Sequence, residues 1–166
     1  MTQEISQISR MGRHAVESYD WPMADRCARE ILARDSGSAE GYFLLGLAEA
    51  AQKRPLKSLQ AFEAALDLDP KRYDAAVELA SQYSNARRNG DAARLLRKYQ
   101  GELDNSPRYL DLAGTVFTGI GMSREAWPLF VKATELQPQV DLFQANRATC
   151  AVYLGKFEEA EQIYAS

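Results

Sequence analysis

Few residues in this chain are of types that do covalent or acid–base chemistry. His14 is the only histidine, and Cys27 and Cys150 are the only cysteines. A nucleophilic thiol needs a nearby base, and one histidine serves neither a thiol pair nor a His-based zinc cluster. No GxxxxGK[ST] phosphate loop and no GxGxxG turn is present. Gly119-Ile120-Gly121 is short and lies between two helical stripes, so it reads as a turn rather than a phosphate cradle. Glu158, Glu159 and Glu161 read as a solvated helix face. Arg87-Arg88 with Arg94, Arg97 and Lys98 is interrupted by apolar residues at helical spacing, which gives surface and loop rather than an anion site. The expectation is therefore no catalytic residue, no metal and no cofactor.

Composition narrows the classes further. The 166 residues are 46% hydrophobic and 26% charged, a globular rather than a disordered balance. The net charge of −3 argues against a general nucleic-acid binder. No apolar run approaches the roughly 20 residues of a membrane span. The N-terminus MTQEISQISRMGRH has no apolar signal core, so a cytoplasmic site is expected.

What must carry function is therefore the arrangement of helices. From Ala39 to Arg72 two apolar stripes at helical spacing are separated by Lys53-Arg54-Pro55. Tyr42, Leu45-Gly46, Ala48 and Ala50-Ala51 mark the first stripe. Leu59, Phe62, Ala65 and Leu66 mark the second, which ends at Asp69-Pro70. Stepping along the chain by this length finds part of the pattern again in each window. Gly12 and Ala24 recur in residues 5–38, Leu79-Ala80 and Tyr83 in 73–106, and Ala113-Gly114, Phe117, Gly121, Ala126, Phe130, Ala133 and Pro138 in 107–140. Ala148, Gly155, Phe157, Ala160 and Tyr164 recur in 141–166.

The aromatic, Leu-Gly, Ala, Phe and Pro series over 34 residues resembles the tetratricopeptide repeat. Ser58 stands where that family prefers Ala. The resemblance implies an all-α fold, a right-handed α-solenoid or superhelix of antiparallel helix pairs with a concave face. Residues 1–166 are then one array: a degenerate repeat at 5–38, repeats at 39–72, 73–106 and 107–140, and an incomplete one at 141–166. Small residues such as Gly12, Gly46 and Gly114 let the helices approach, and aromatics fill the gaps. In a solenoid Cys27 and Cys150 lie too far apart for a disulfide and read as buried thiols.

Local features predict further detail. Pro22 opens a helix after Tyr19-Asp20-Trp21. Asn89-Gly90-Asp91 is expected to be an inter-helix turn, Asp104-Asn105-Ser106 to close the third unit, and Ser123 to cap a helix. Pro128 is expected to kink that helix or force a 3₁₀-like first turn. Arg147 stands where a leucine is expected. The chain stops at Ser166 inside an expected second helix, which suggests the N-terminal part of a longer protein.

In the family the first helix of each repeat lines the groove, and this places the candidate partner-binding residues. They are Arg10 and Arg13 in the first repeat, Phe43, Leu44 and Leu47 in the second, and Glu78, Ser81 and Asn85 in the third. Arg108, Asp111 and Thr115 follow in the fourth, and Asn146 and Thr149 in the fifth. Phe43, Leu44 and Leu47 would form an apolar floor, unless Phe43 and Leu44 pack on the preceding repeat. Replacing Leu47 with Asp should then abolish binding without unfolding. The carboxylate clamp of chaperone-binding members is not matched, because Leu112 stands where its arginine should be.

The implied function is a non-catalytic interaction scaffold for a protein or peptide, with no nucleic acid, no membrane and possible self-association through the incomplete last repeat. The alternative is a repeat array preceding a catalytic domain, as in some bacterial sulfotransferases. A small secretion chaperone would need a complete cap.

Overall fold

The computed structural model describes residues 3–103 and 105–165. These hold ten α-helices and one 3₁₀ turn, with no strand among them. The chain divides into two compact units, Met1–Gln82 and Tyr83–Ser166, each described by itself. The first contains α1 (Gln3–Glu17), α2 (Trp21–Arg34), α3 (Ala39–Ala51), α4 (Pro55–Leu68) and most of α5 (Tyr73–Asn85). The second contains α6 (Asn89–Tyr99), α7 (Pro107–Gly119), α8 (Ser123–Leu136), α9 (Asp141–Tyr153) and α10 (Phe157–Ala165). Pairs α1–α2, α3–α4, α7–α8 and α9–α10 pack as antiparallel hairpins, and α2–α3 and α8–α9 join one hairpin to the next.

The corners of these hairpins obey one rule. Tyr19, Lys53, Arg87, Gly121 and Gly155 all have φ between 58° and 84°, and each follows the previous one by 34 residues. At each corner the next residue's N–H reaches back five residues: Asp20 to the Ala15 carbonyl at 2.8 Å, Arg54 to Glu49 at 2.9 Å, Arg88 to Tyr83 at 2.8 Å, Met122 to Phe117 at 2.7 Å and Lys156 to Ala151 at 2.9 Å. This is the Schellman closure, which satisfies carbonyls that the helix end would orphan. Three of the five left-handed residues carry a Cβ, at about 1–2 kcal/mol each.

Small residues bring the helices together. Gly46 and Gly114 each lie under a phenylalanine of the paired helix: a Cβ on Gly46 would sit 2.6 Å from the Phe62 ring, and one on Gly114 would sit 2.8 Å from Phe130. The partner of the small residue is thus an aromatic ring rather than a helix backbone. Ser58 is fully buried and donates to the Gly46 carbonyl at 2.9 Å, so its hydroxyl is satisfied where alanine would have none. Cys27 and Cys150 are buried free thiols whose pKa is raised chiefly by that burial.

Several local expectations are corrected. Asn89, Gly90 and Asp91 begin α6, and the turn lies before them around Arg87. Met122, not Ser123, is the N-cap of α8. That helix is continuous α from Ser123 to Leu136 with no 3₁₀ segment, and Pro128 sits inside it. Pro22 does start α2, where Asp20 caps it by accepting from the Met23 N–H at 3.1 Å. Ser106 precedes α7, while Asp104 lies outside the described residues.

Candidate functional site

In the first unit the faces of α1, α3 and α5 are tied by a chain of charges. Arg13 on α1 donates twice to the Glu40 carboxylate of α3, from Nε at 2.7 Å and Nη2 at 2.6 Å. Ser9 adds a third bond to Glu40 at 3.0 Å. Arg72, just before α5, donates to Glu40 from the other side at 2.7 Å and grips Asp74 through two bonds at 3.0 and 2.6 Å. Its guanidinium also lies 4.4 Å from the centroid of the Phe43 ring, a cation–π contact.

Burial shapes the electrostatics of this chain. Desolvation pushes the Glu40 carboxyl up, but the hydrogen bonds and charges of Arg13 and Arg72 outweigh it and hold the group below its ordinary range. Desolvation likewise opposes the charge on Arg72, and Asp74 and Glu40 overcome it, so its pKa is raised. A planar guanidinium with five donors suits this place, where two carboxylates and a ring must be met at once.

In the second unit the linkage is a single pair. Asn146 on α9 turns its amide nitrogen into the Asp111 carboxylate of α7, at 3.0 and 2.9 Å from the two oxygens. Asp111 is only 6% exposed. Desolvation raises its pKa to about 6, against the opposing Asn146 bond. Beside the pair, Thr115 donates to the Asp111 main-chain carbonyl at 3.0 Å and Thr149 to that of Ala145 at 2.9 Å. Leu142 and Tyr153 lie on the same face of α9 at helical spacing and are 61% and 69% exposed.

Among the described residues no group of three or more His, Cys, Asp or Glu could hold a metal ion. No described helix is long and apolar enough to cross a membrane.

A family model for the tetratricopeptide repeat matches residues 39–72, which are α3, its corner, α4 and the segment up to Arg72. Residues 39–72 are a tetratricopeptide repeat. The structure of the tetratricopeptide protein TTC0263 from Thermus thermophilus superposes with a TM-score of 0.80 at 14% identity, over 97% of this chain and 88% of that one. PilF of Pseudomonas aeruginosa gives 0.79 at 17% identity, over 97% and 73%. MamA of Desulfovibrio magneticus gives 0.73 at 15%, over 99% and 93%. The fold is the tetratricopeptide fold. Among curated proteins, the PEX5-related proteins of Mus musculus and Rattus norvegicus are 23% and 24% identical over 132 residues. The chain spans about a quarter of their length, 23% and 21%.

Within this tetratricopeptide frame the candidate residues separate into three groups. Phe43 and Leu44 are core, at 3% and 0% exposure, so the expected apolar floor does not exist there. Phe43 meets the Phe62 ring and is covered by Arg72, and Leu44 packs on Gly12. Leu47 is buried as well, so Leu47→Asp would damage the fold and cannot serve as a clean test of binding. A second group is bound into the structure at different depths: Arg13 is exposed, Asn146 half-buried and Asp111 buried. The third lies open or half-open on odd-numbered helices: Arg10, Glu78, Ser81, Asn85, Arg108, Thr115 and Thr149.

Three residues of weight fall outside the thirteen candidates. Arg72 is the last residue of its repeat and not on a groove-lining helix position, so spacing alone does not single it out. Leu142 and Tyr153 stand at the groove-lining spacing that the resemblance implies for the first helix of the fifth repeat, together with Asn146 and Thr149. Arg147, where leucine is expected, reaches Thr134 at 3.2 Å and lies over the Trp127 ring at 5.5 Å, which replaces apolar packing by stacking.

Proposed function

We propose that this chain is a non-catalytic interaction module that holds a protein segment against the open faces of its odd-numbered helices, and that residues 5–38, 73–106, 107–140 and 141–166 are further repeats around 39–72. The observation that supports it best is the character of those faces. In the first unit the charges of Arg13, Glu40, Arg72 and Asp74 satisfy one another across α1, α3 and α5, and in the second Leu142 and Tyr153 stand exposed on the helix that carries Asn146. Rigid scaffolds with a few exposed aromatic and aliphatic anchors bind without a large ordering cost. A site inside the cell agrees with this reading.

A photo-crosslinking amino acid placed at Thr149, compared with one at Lys57 on α4, tests the proposal. A discrete adduct from Thr149 alone is expected. Equal adducts from both positions, or none from Thr149, would overturn it.

Two observations favour companion readings. The curated relatives are about four times longer than the matched stretch, which suits an array that positions another domain, catalytic or not. A cleft of about 480 Å³ between α9 and α10, lined by Pro138, Asp141, Gln144, Ala145, Ile163 and Tyr164, suits self-association through the last helix pair. Light scattering of the chain and of a Tyr164→Lys variant separates that case: loss of a dimer on substitution supports it, and a monomer in both rejects it.

A further inference from the structure

The polar groups around Asp111 share a property that decides what they can hold. The hydroxyl protons of Thr115 and Thr149 are both spent on main-chain carbonyls of their own helices, at 3.0 and 2.9 Å. The Asn146 amide nitrogen is turned into the carboxylate. An ionised carboxylate has no proton to give. What remains is a set of lone pairs: those of the buried Asp111, of the half-buried Asn146 carbonyl and of the two exposed threonine oxygens.

Asp111 itself is under-coordinated. A carboxylate offers about four acceptor sites, and among the described residues the side-chain donor to it is one neutral amide. The balance of its proton affinity contains no cationic contribution, only burial and the Asn146 bond. Of the nearby charges, Arg108 on the same helix is turned over the Tyr109 ring, and Arg147 on α9 is turned toward Thr134 and Trp127. This contrasts with Glu49, the buried carboxylate of the first unit, which is met by Arg29 and Arg54.

We propose that the α7–α9 face receives a basic side chain of the partner segment, an arginine or lysine whose N–H groups meet the Asp111 carboxylate while neighbouring apolar side chains rest on Leu142 and Tyr153. The proposal rests on the interaction reading above and names the chemistry of its partner. Charge complementarity argues for this occupant. An acidic segment would set a like charge against Asp111, whereas a guanidinium completes a carboxylate already held in place by Asn146.

The test uses three synthetic peptides of one design, acetyl-Leu-Ala-X-Ala-Leu-amide with X as arginine, norleucine or glutamate, titrated against the ¹⁵N-labelled chain. The arginine peptide is expected to shift the Asn146 side-chain amide and the backbone of α7 and α9, with roughly tenfold tighter binding than norleucine, as one charged hydrogen bond gives. The glutamate peptide should not bind. Asp111→Asn, checked as folded by its amide spectrum, should bring arginine and norleucine within about twofold of each other. In the unaltered chain, saturation with the arginine peptide should move the Asp111 carboxyl below its free value, read by ¹³C shifts.

Equal binding of arginine and norleucine peptides on α7 and α9 would overturn the basic-residue inference while leaving the interaction reading intact. So would an arginine preference that survives Asp111→Asn. Absence of any shift on the odd-numbered helices with all three peptides would remove both.

Discussion

The ring of Phe62 covers Gly46 so closely that a Cβ at that glycine would meet ring carbons at 2.6, 2.7 and 2.9 Å, and Phe130 covers Gly114 in the same way at 2.8 Å. Both rings are buried and cannot swing away without opening the core. Gly46→Ala and Gly114→Ala are each expected to destabilise by about 1–3 kcal/mol, although alanine is the better helix former. Urea unfolding of the two variants checks this. Pairing Gly46→Ala with Phe62→Leu should recover part of the loss, since the smaller side chain leaves room.

At the corners the sign of a substitution depends on which residue stands there. Gly121 has φ near 84° and no side chain within reach, so only the backbone resists a Cβ. Gly121→Ala should lower stability by about 1–2 kcal/mol. Arg87→Gly relieves the same strain but gives the unfolded chain more freedom, so the two effects offset and the change should stay within about 1 kcal/mol. Parallel urea midpoints for both variants test the asymmetry.

How far these features can be read without coordinates follows from their range. The period, the small residues at Gly46 and Gly114 and the helical class are local patterns, and they stand out in the sequence. The turn at Arg87 does not, because Asn89-Gly90-Asp91 is the stronger turn signal, and only the phase of the neighbouring helices overrides it. Phe43 and Leu44 are a different case. Their side chains are the type a peptide groove would use, and what buries Phe43 includes Arg72, 29 residues further along. No spacing rule ties an arginine to a ring at that separation. The Asp111–Asn146 pair was legible as two groove positions but not as one unit, since the bond spans 35 residues.

Arg72 is the keystone of the first unit's charged face. Arg72→Ala would leave Asp74 with only the Ala75 N–H, take one of two arginines from Glu40 and uncover Phe43. Removing one member of a fully buried pair costs about 3–5 kcal/mol. Because Arg13 stays on Glu40 and the site is not fully sealed, about 2 kcal/mol is expected here. Glu40, held below its ordinary range, stabilises the fold above the unfolded carboxyl value of about 4.3 and loses that contribution as pH falls through its folded value. Arg72→Ala should therefore raise the pH of acid unfolding as well as lower the urea midpoint at pH 7.

Asp111 acts in the opposite sense. Its folded pKa of about 6 lies above the unfolded value of about 3.9, so the folded state binds the extra proton. Stability from this group is present below about pH 4 and is lost as pH rises to about 6. Asp111→Asn should stabilise the chain at pH 7, by on the order of 2–3 kcal/mol at most, and the gain should vanish near pH 4. Thermal melts of both proteins at pH 4 and pH 7 measure the difference directly.

Three bulky residues hold a backbone shape that glycine would adopt freely, and they hold it at one spacing. The joint between helices is thus dictated by the lengths of the rods on either side, and the residue at the bend is exchangeable. Splicing the chain from Lys53 directly to the residue after Arg87 would remove one period without shifting the reading of any other. The molecule can in this sense be shortened or extended like a ruler, by whole divisions and at marks already drawn on it.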